Sequence, residues 1–134
     1  MAGYSGTPLE RKLGLAPGRV LLLDGAPDDL VLDTTGLHVV RRLPASVDVT
    51  LTFHTTTRGL EARLPRLFER TSTAGMVWVC WPKRAARKAR GIAGDLDEAA
   101  VRATGLREGF VDVKIAAIDD TWSGLKFVRR LTDR

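Results

Sequence analysis

The chain has 134 residues, of which 44% are hydrophobic and 28% are charged, and this composition excludes a disordered or fibrous protein. Its 21 lysines and arginines against 16 acidic residues give a net charge of +5, which favours polyanionic partners without requiring one. The single cysteine, Cys80, excludes an intramolecular disulfide and a cysteine-rich zinc site. No apolar run reaches the roughly 18 residues that span a bilayer. We therefore expect one soluble, cytoplasmic domain over residues 1–134, without a membrane partner.

The first third of the chain predicts a short helix and then two strands. In a helical lead-in over residues 1–18, Thr7–Glu10 supplies an N-cap, a proline at the first helical position and a capping-box glutamate, and Gly14 suits the position past the helix end. The nearly continuous apolar run Arg19–Leu23 predicts a central parallel strand. Residues 28–35 predict a helix or turn, and residues 38–42 predict a second strand.

The middle of the chain predicts two strands around a helix. Val47–Phe53 alternates between apolar and polar residues, which places Val47, Val49, Leu51 and Phe53 on one face. The next apolar stripe predicts a helix that Pro65 kinks or divides. It consists of Leu60, Leu64, Leu67 and Phe68. Met76–Trp81 predicts a buried strand, in which Cys80 is expected to be an inert core thiol.

The last third of the chain predicts a loop, a helix and a hairpin. Residues 83–94 are basic and contain two glycines, and they predict an exposed, mobile loop. Asp95 then opens a helix that runs to about Thr104 and stops at Gly105. The strand-like runs Val111–Ile118 and Leu125–Arg130 are separated by too few residues for a helical crossover. We therefore expect an antiparallel hairpin here, with Asp119–Gly124 as its loop.

This order of elements resembles a shortened class I methyltransferase-like Rossmann fold. The resemblance implies a three-layer α/β domain with a mostly parallel sheet of about six strands, a terminal antiparallel hairpin and helices on both faces. It also implies a place for S-adenosylmethionine (SAM), but the expected glycine motif is absent. Gly25 is followed by Ala26 and Pro27, and the second strand ends near Arg41 and Arg42 rather than at an acidic residue. We therefore expect neither SAM nor another cofactor.

A second resemblance rests on five short motifs that occur in order along the chain. These are GYSGTPL at Gly3–Leu9, KLG at Lys12–Gly14, WPK at Trp81–Lys83, VDVK at Val111–Lys114 and TWSGL at Thr121–Leu125. The chain is similar in these motifs to a bacterial family of short proteins known only as a domain of unknown function. This resemblance implies no reaction, cofactor or partner.

Candidate ligand-binding residues follow from where parallel strands end. In open α/β sheets, ligands bind beyond the carboxyl ends of the strands. There, Lys83 could present a charge to a phosphate or carboxylate, although a solvated strand-end lysine is the plainer interpretation. A polar turn likewise explains Asp119 and Ser123, with Trp122 holding the loop onto the body. The candidates are Asp24, Gly25, His54, Thr55, Lys83, Asp119, Trp122 and Ser123.

The basic segment offers an alternative, nonspecific nucleic-acid site. Residues 83–90 carry five positive charges in eight residues, but they include no aromatic side chain for stacking on bases. A solvated basic loop is therefore favoured. The candidate nucleic-acid residues are Arg84, Arg87, Lys88 and Arg90.

Three functions remain open from the sequence. The favoured one is a non-catalytic binding domain for a protein or a small anionic ligand. The second is a small enzyme on an anionic substrate, with Lys83 as the electrostatic anchor and His54 or Asp119 in proton transfer. The third is nucleic-acid binding through the basic segment. No metal motif is present, since His38 and His54 have no partners at ligand spacing, and the sequence leaves homo-oligomerisation open.

Overall fold

The computed structural model describes residues 8–134, which form an α/β fold around one mixed sheet. Its elements, in chain order, are α1 (Leu9–Lys12), β1 (Val20–Asp24), β2 (His38–Val40), β3 (Val47–Phe53), α2 (Thr57–Arg70), β4 (Thr71–Pro82), α3 (Arg84–Arg90), α4 (Glu98–Arg107), β5 (Phe110–Ala117) and β6 (Trp122–Arg129). A turn of 3₁₀ helix follows at Leu131–Asp133. Among the helices of this part of the chain, none is long and apolar enough to cross a membrane.

The sheet has six strands in the order β2-β1-β3-β4-β6-β5. Strands β1 to β4 are parallel to one another, whereas β6 pairs antiparallel with both β4 and β5. The predicted fold class is therefore confirmed, including the terminal hairpin. The carboxyl ends of β1, β3 and β4 lie at one edge of the sheet, so the segments that follow them come close together.

The two faces of the sheet are covered differently. Helices α2 and α4 cover one face, with Leu60, Leu64 and Val101 among the residues of its core. The opposite face is covered by α1 and by the irregular residues 26–37. The indole N–H of Trp78, which is fully buried, donates to the backbone oxygen of Leu13 at 3.1 Å and so fixes α1 on the sheet.

Two predictions about the middle of the chain are corrected. Val47 belongs to the α2 side of the core, whereas Val49 lies on the α1 side, because the β3–β4 register shifts between these two residues. Strict alternation along β3 therefore holds only from Val49 onwards. Helix α2 is continuous across Pro65, so the predicted division does not occur. Its buried stripe of leucines holds both halves on the sheet.

Predictions about the helix ends are also corrected. Pro8 is the N-cap of α1 rather than its first helical residue, and the predicted cap Thr7 lies outside the described residues. Of the helix or turn predicted over residues 28–35, the structure has turns, at 28–29 and 35–36, and no helix. In α4 the N-cap is Asp97, whose side chain accepts from the Ala100 N–H, and the helix continues through Gly105 to Arg107. Gly105 therefore does not stop the helix; its lack of a side chain lets α4 lie close to the ring of Phe127, with which an added Cβ would collide.

Two segments predicted as loops are regular structure. Arg84–Arg90 is helix α3, ended by Gly91 in the left-handed conformation with φ of 65°. The prediction of a mobile loop is therefore wrong for these residues. Trp122–Gly124 belongs to β6 instead of the hairpin loop, with Trp122 opposite Pro82 and Gly124 opposite Cys80. The hairpin turn is accordingly shorter than the sequence suggested.

Candidate functional site

Asp24, the last residue of β1, is the centre of a closed polar network. Its carboxylate accepts two hydrogen bonds from Arg63 of α2, at 2.8 Å to Oδ1 and 3.1 Å to Oδ2. The hydroxyl of Thr52 donates a third bond to Oδ2 at 2.7 Å. The side chain of Asp24 is 15% exposed and that of Arg63 is 35% exposed. This bidentate pair joins β1, β3 and α2 at the carboxyl edge of the sheet.

The network fixes the charges of both partners. Burial alone would raise the pKa of Asp24, but the hydrogen bonds from Arg63 and Thr52 and the positive charge of Arg63 together lower it. The hydrogen bond to Asp24 raises the pKa of Arg63, against a smaller opposing effect of burial. Asp24 is therefore ionised at neutral pH and does not act as a proton donor there.

His54 extends the same network by one step. Its Nε2 lies 2.7 Å from the hydroxyl oxygen of Thr52. Because the single proton of that hydroxyl goes to Asp24, Nε2 carries the hydrogen and Nδ1 is left as an acceptor. Burial lowers the pKa of His54; the charge of Asp24 raises it and that of Arg63 lowers it further. The imidazole is therefore neutral at pH 7, in a defined tautomer.

The first turn of α2 is occupied by the chain's own acidic residue. The carboxylate of Asp95 accepts from the Thr57 N–H at 2.8 Å, which is the position where a helix start would hold a bound anion. The Leu96 N–H donates to the Thr55 oxygen at 3.2 Å, and a Cβ at Gly94 would collide with that oxygen. The candidate ligand-binding residue Thr55 and the start of α2 at Thr57 are thus covered by residues 94–96.

The predicted residues at the hairpin form a separate group. Asp119 Oδ1 accepts from the backbone N–H groups of Thr121 and Trp122, both at 2.8 Å. The Trp122 ring packs edge-on against Phe53 with the centroids 5.1 Å apart, and the Lys83 N–H donates to the Thr121 oxygen at 2.8 Å. Ser123 lies in β6, opposite Trp81 and Ala117. Within residues 8–134, no hydrogen bond or ion pair joins Lys83, Asp119 or Ser123 to His54.

The arginines of α3 hold the polypeptide itself. Arg87 donates to the backbone oxygens of Gly94 at 2.8 Å and Leu96 at 2.6 Å. Arg90 donates to the hydroxyl of Thr121 at 2.6 Å. Two of the four candidate nucleic-acid residues are therefore engaged in internal contacts. Arg84 lines a cleft that it shares with three acidic side chains, namely Asp95, Asp97 and Glu98.

A cleft of about 480 Å³ lies beyond the carboxyl ends of β1 and β2. Its apolar lining residues are Leu23, Ala26, Pro27, Leu30, Leu32 and Val39, and its polar ones are Asp28, Thr34 and Arg41. Arg41 is exposed and makes no ion pair within residues 8–134. Gly25, with φ of 68°, turns the chain into this cleft. Residues 25–37 between the two strands contain no helix.

Other reactive groups are inaccessible or isolated. Cys80 is fully buried, and burial, together with the charge of Asp119, raises the pKa of its thiol well above the usual range. It is therefore an inert core residue, as the sequence indicated. Across residues 8–134 there is no cluster of three or more histidine, cysteine, aspartate or glutamate side chains suited to a metal ion.

Solved structures of several proteins share this fold at low sequence identity. Magnesium protoporphyrin IX methyltransferase from Synechocystis PCC 6803, with bound S-adenosylhomocysteine (SAH), is 14% identical, with a TM-score of 0.58 over 85% of this chain and 75% of that chain. A TehB-like SAM-dependent methyltransferase from Corynebacterium glutamicum ATCC 13032 is 12% identical, with a TM-score of 0.55 over 94% of this chain and 91% of that chain. The LepI complex with SAM is 13% identical, with a TM-score of 0.53 over 91% of this chain and 39% of that chain.

The chain has a methyltransferase-like Rossmann fold. No protein-family model and no curated protein sequence matches it significantly. The similarity to a bacterial family of short proteins therefore stays a prediction, and its first motif lies largely outside the described residues. The resemblance to the class I methyltransferase fold agrees with the structural neighbours.

Sequence reasoning missed the residues that complete the network. Arg63 follows Leu60 by three positions and precedes Leu67 by four, so it borders the buried stripe of α2 and points towards the strand ends. Thr52 occupies the alternate face of β3 and is fully buried. Thr52 lies 28 positions from Asp24, so no local pattern in the sequence indicates their contact. The partner, Arg63, lies 39 positions away from Asp24, and only the fold brings them together.

Proposed function

We propose that this methyltransferase-like Rossmann domain is a non-catalytic binding domain that does not use SAM. The observation that carries the proposal is the commitment of Asp24, at the end of the first strand, to Arg63 and Thr52. These polar side chains are hydrogen-bonded to one another, so they are not free to bind a cofactor or a substrate at this edge of the sheet.

The residues after β1 do not fit SAM. A cofactor in this fold is held by a glycine-rich turn and the N–H groups of a following helix. Here residues 25–37 contain no helix, and Pro27 has no N–H to donate. At the end of β2, Arg41 cannot accept hydrogen bonds from ribose hydroxyls, and it would repel the sulfonium of SAM.

The cleft at the ends of β1 and β2 supports a small ligand of a different class. Its volume of about 480 Å³ suits a small molecule, and six of its nine lining residues have apolar side chains. Arg41 supplies a guanidinium at its border that forms no ion pair within residues 8–134. Asp28, at the same cleft, disfavours a second negative charge on the ligand. The ligand we propose has an apolar body and one anionic group.

The catalytic alternative has less support. A general base needs a free acceptor beside the reacting group, and a nucleophile needs such a base. The Nε2 of His54 is bonded to Thr52, and Asp119 accepts two backbone N–H groups. The Nδ1 of His54 is a free acceptor, but no nucleophile is hydrogen-bonded to it within residues 8–134. Lys83 forms no hydrogen bond or ion pair with His54 or Asp119 there. Proton transfer by Nε2 of His54 or by Asp119 would require breaking contacts that now hold the strand ends.

The test uses the anionic dye 1-anilinonaphthalene-8-sulfonate, which has an apolar body and one sulfonate. We expect wild type to enhance its fluorescence on binding, and Arg41→Gln to bind it about 10-fold more weakly, because a hydrogen bond to a charged group is lost. Arg42→Gln is the matched control, because Arg42 carries the same charge next along the chain but does not line the cleft. Equal affinities in Arg41→Gln and Arg42→Gln would overturn the ligand assignment. A thermal shift with SAM or SAH would overturn the claim about the cofactor.

A further inference from the structure

Beyond the cleft, the hairpin end of the sheet carries a cluster of positive charges. Lys126 of β6 lies opposite Lys114 of β5 and opposite Trp78 of β4. Trp78 belongs to the α1 side of the core, as does Val128 two residues further along β6. Lys114 and Lys126 therefore project from the same face of the sheet, the one that α1 covers only in part.

The spacing of these two lysines is set by the strand pairing. Residues opposite each other in antiparallel strands have Cβ atoms about 4.5–5.5 Å apart, and like charges there are destabilising. Partial burial lowers the pKa of Lys126, and the charges of Lys114 and Arg19 lower it further. Arg19 is fixed beside this face because its guanidinium donates to the Gly14 oxygen at 3.2 Å.

None of Lys114, Lys126 and Arg19 forms an ion pair in the part of the chain that the structure describes. Arg19 lines a third cleft together with Glu10 and Asp33, without an ion pair to either. The nearest acidic residue on β5, Asp112, pairs with Arg102 of α4 on the opposite face. Within residues 8–134, the folded protein thus carries a positive cluster without ion pairs on an ordered sheet.

The surface around the cluster has room for a ligand. A cleft of about 480 Å³ on one side is lined by Lys12 of α1, by Lys114 and by the apolar residues that follow it. A second cleft of about 370 Å³ is lined by Lys126, Val128 and Arg134, among others. Cations from α1, β5, β6 and the C-terminal end therefore border two adjacent depressions.

We infer that this cluster binds a small molecule carrying two or more linked phosphate groups. Two lysines at cross-strand distance, with Arg19 and Lys12 beside them, match adjacent phosphates rather than a single carboxylate. A nucleic acid fits less well, because within residues 8–134 no exposed aromatic side chain accompanies the cations, Trp78 being fully buried. The site is independent of the proposed cleft, because that cleft lies at the carboxyl ends of β1 and β2, whereas Arg19 precedes the amino end of β1 and the two lysines lie in the hairpin.

The probe for this site is inorganic pyrophosphate, measured by calorimetry at constant ionic strength. We expect wild type to bind it, and Lys126→Gln and Lys114→Gln each to bind about 10-fold more weakly. Lys88→Gln, on the exposed surface of α3, removes the same charge and should bind like wild type. Arg41→Gln should also bind like wild type, which separates failure of this site from failure of the proposed cleft.

Folding of the variants is checked by their thermal unfolding without ligand. Because like charges repel in the free protein, Lys126→Gln should melt at or above the wild-type temperature. Equal weakening in Lys88→Gln and Lys126→Gln would overturn the site, as would absence of pyrophosphate binding in wild type. Tighter binding of a duplex oligonucleotide than of pyrophosphate, lost in the same variants, would overturn the small-molecule class.

Discussion

Replacing Arg63 by methionine is the most informative change to the network at the strand ends. Methionine keeps an apolar stem on α2 but removes both hydrogen bonds to Asp24, which are 2.8 and 3.1 Å long. Asp24 then keeps only the bond from Thr52 at 2.7 Å. Its negative charge then has no positively charged partner, and at 15% exposure the carboxylate is poorly solvated.

The expected loss follows from the exposure of the two partners. Hydrogen bonds to charged groups contribute about 1.5–3 kcal/mol each when buried, and breaking a fully buried ion pair costs about 3–5 kcal/mol. Arg63 is 35% exposed, so water competes for its guanidinium. We therefore expect Arg63→Met to lower the free energy of unfolding by about 1–2 kcal/mol at pH 7. The melting temperature should fall by roughly 3–7 °C.

The assay is urea unfolding at several pH values, with Arg66→Met as the control. Arg66 lies on the same helix, is exposed and makes no ion pair within residues 8–134, so its loss should change stability by less than about 0.5 kcal/mol. The pKa of Asp24 is lowered from 3.8, so the stability it contributes is complete above 3.8 and is lost as pH falls through the lower, folded-state value. The gap between Arg63→Met and wild type should shrink over that range. Equal stabilities of Arg63→Met and Arg66→Met at pH 7 would refute the reasoning.

Three further changes probe the packing and the charges around the site. Gly105→Ala should destabilise the protein by about 1–3 kcal/mol in urea unfolding despite a better helix former, because the new methyl group meets Phe127. Wild-type stability should fall as pH drops below 6.5, the ordinary pKa of histidine, because the pKa of His54 is lowered and the unfolded chain takes up the proton first; His54→Gln should flatten that slope. Asp95→Ala should lower the free energy of unfolding by about 0.5–2 kcal/mol, because the Thr57 N–H at the start of α2 loses its acceptor. Asp120→Ala, at an exposed residue without a hydrogen bond in the described chain, should leave stability unchanged.

The fold could be read from the sequence because its signals are local. The apolar run at Arg19–Leu23 and the buried run at Met76–Trp81 predict central strands, and the short connection after Ile118 requires a hairpin. Glycine is harder to interpret from the sequence. The pattern predicts a helix end at Gly105, but the role of this residue is a close approach of α4 to Phe127 on β6, which no local pattern encodes.

Helix α3 has a helix signal in its sequence. Arg84–Arg90 consists only of alanine, arginine and lysine, which are all strong helix formers, and Gly91 provides the left-handed end. The density of charge is typical of an exposed loop, yet Arg87 and Arg90 donate hydrogen bonds to backbone and hydroxyl oxygens of the chain itself. Charge counted along a sequence therefore overstates the charge available to a partner.

The candidate site was only half predictable. Position at a strand end singled out Asp24 and His54, since the carboxyl edge of a parallel sheet follows from topology. Their connection through Thr52, and the closure by Arg63, depend on pairing across 28 and 39 positions. Those contacts decide whether the polar groups at this edge are free to bind a ligand, and no local pattern in the sequence indicates them.

The central claim is that the strand ends of this methyltransferase-like fold do not hold SAM, and amide chemical-shift mapping tests it most directly. Isotope-labelled protein would be titrated with SAH to about 1 mM, which would reveal any site with a dissociation constant in that range. We expect no shift of the amides of Asp24, Gly25 and Ala26, or of Arg41. Saturable shifts confined to these amides would contradict the account and place the cofactor where other proteins of this fold hold it.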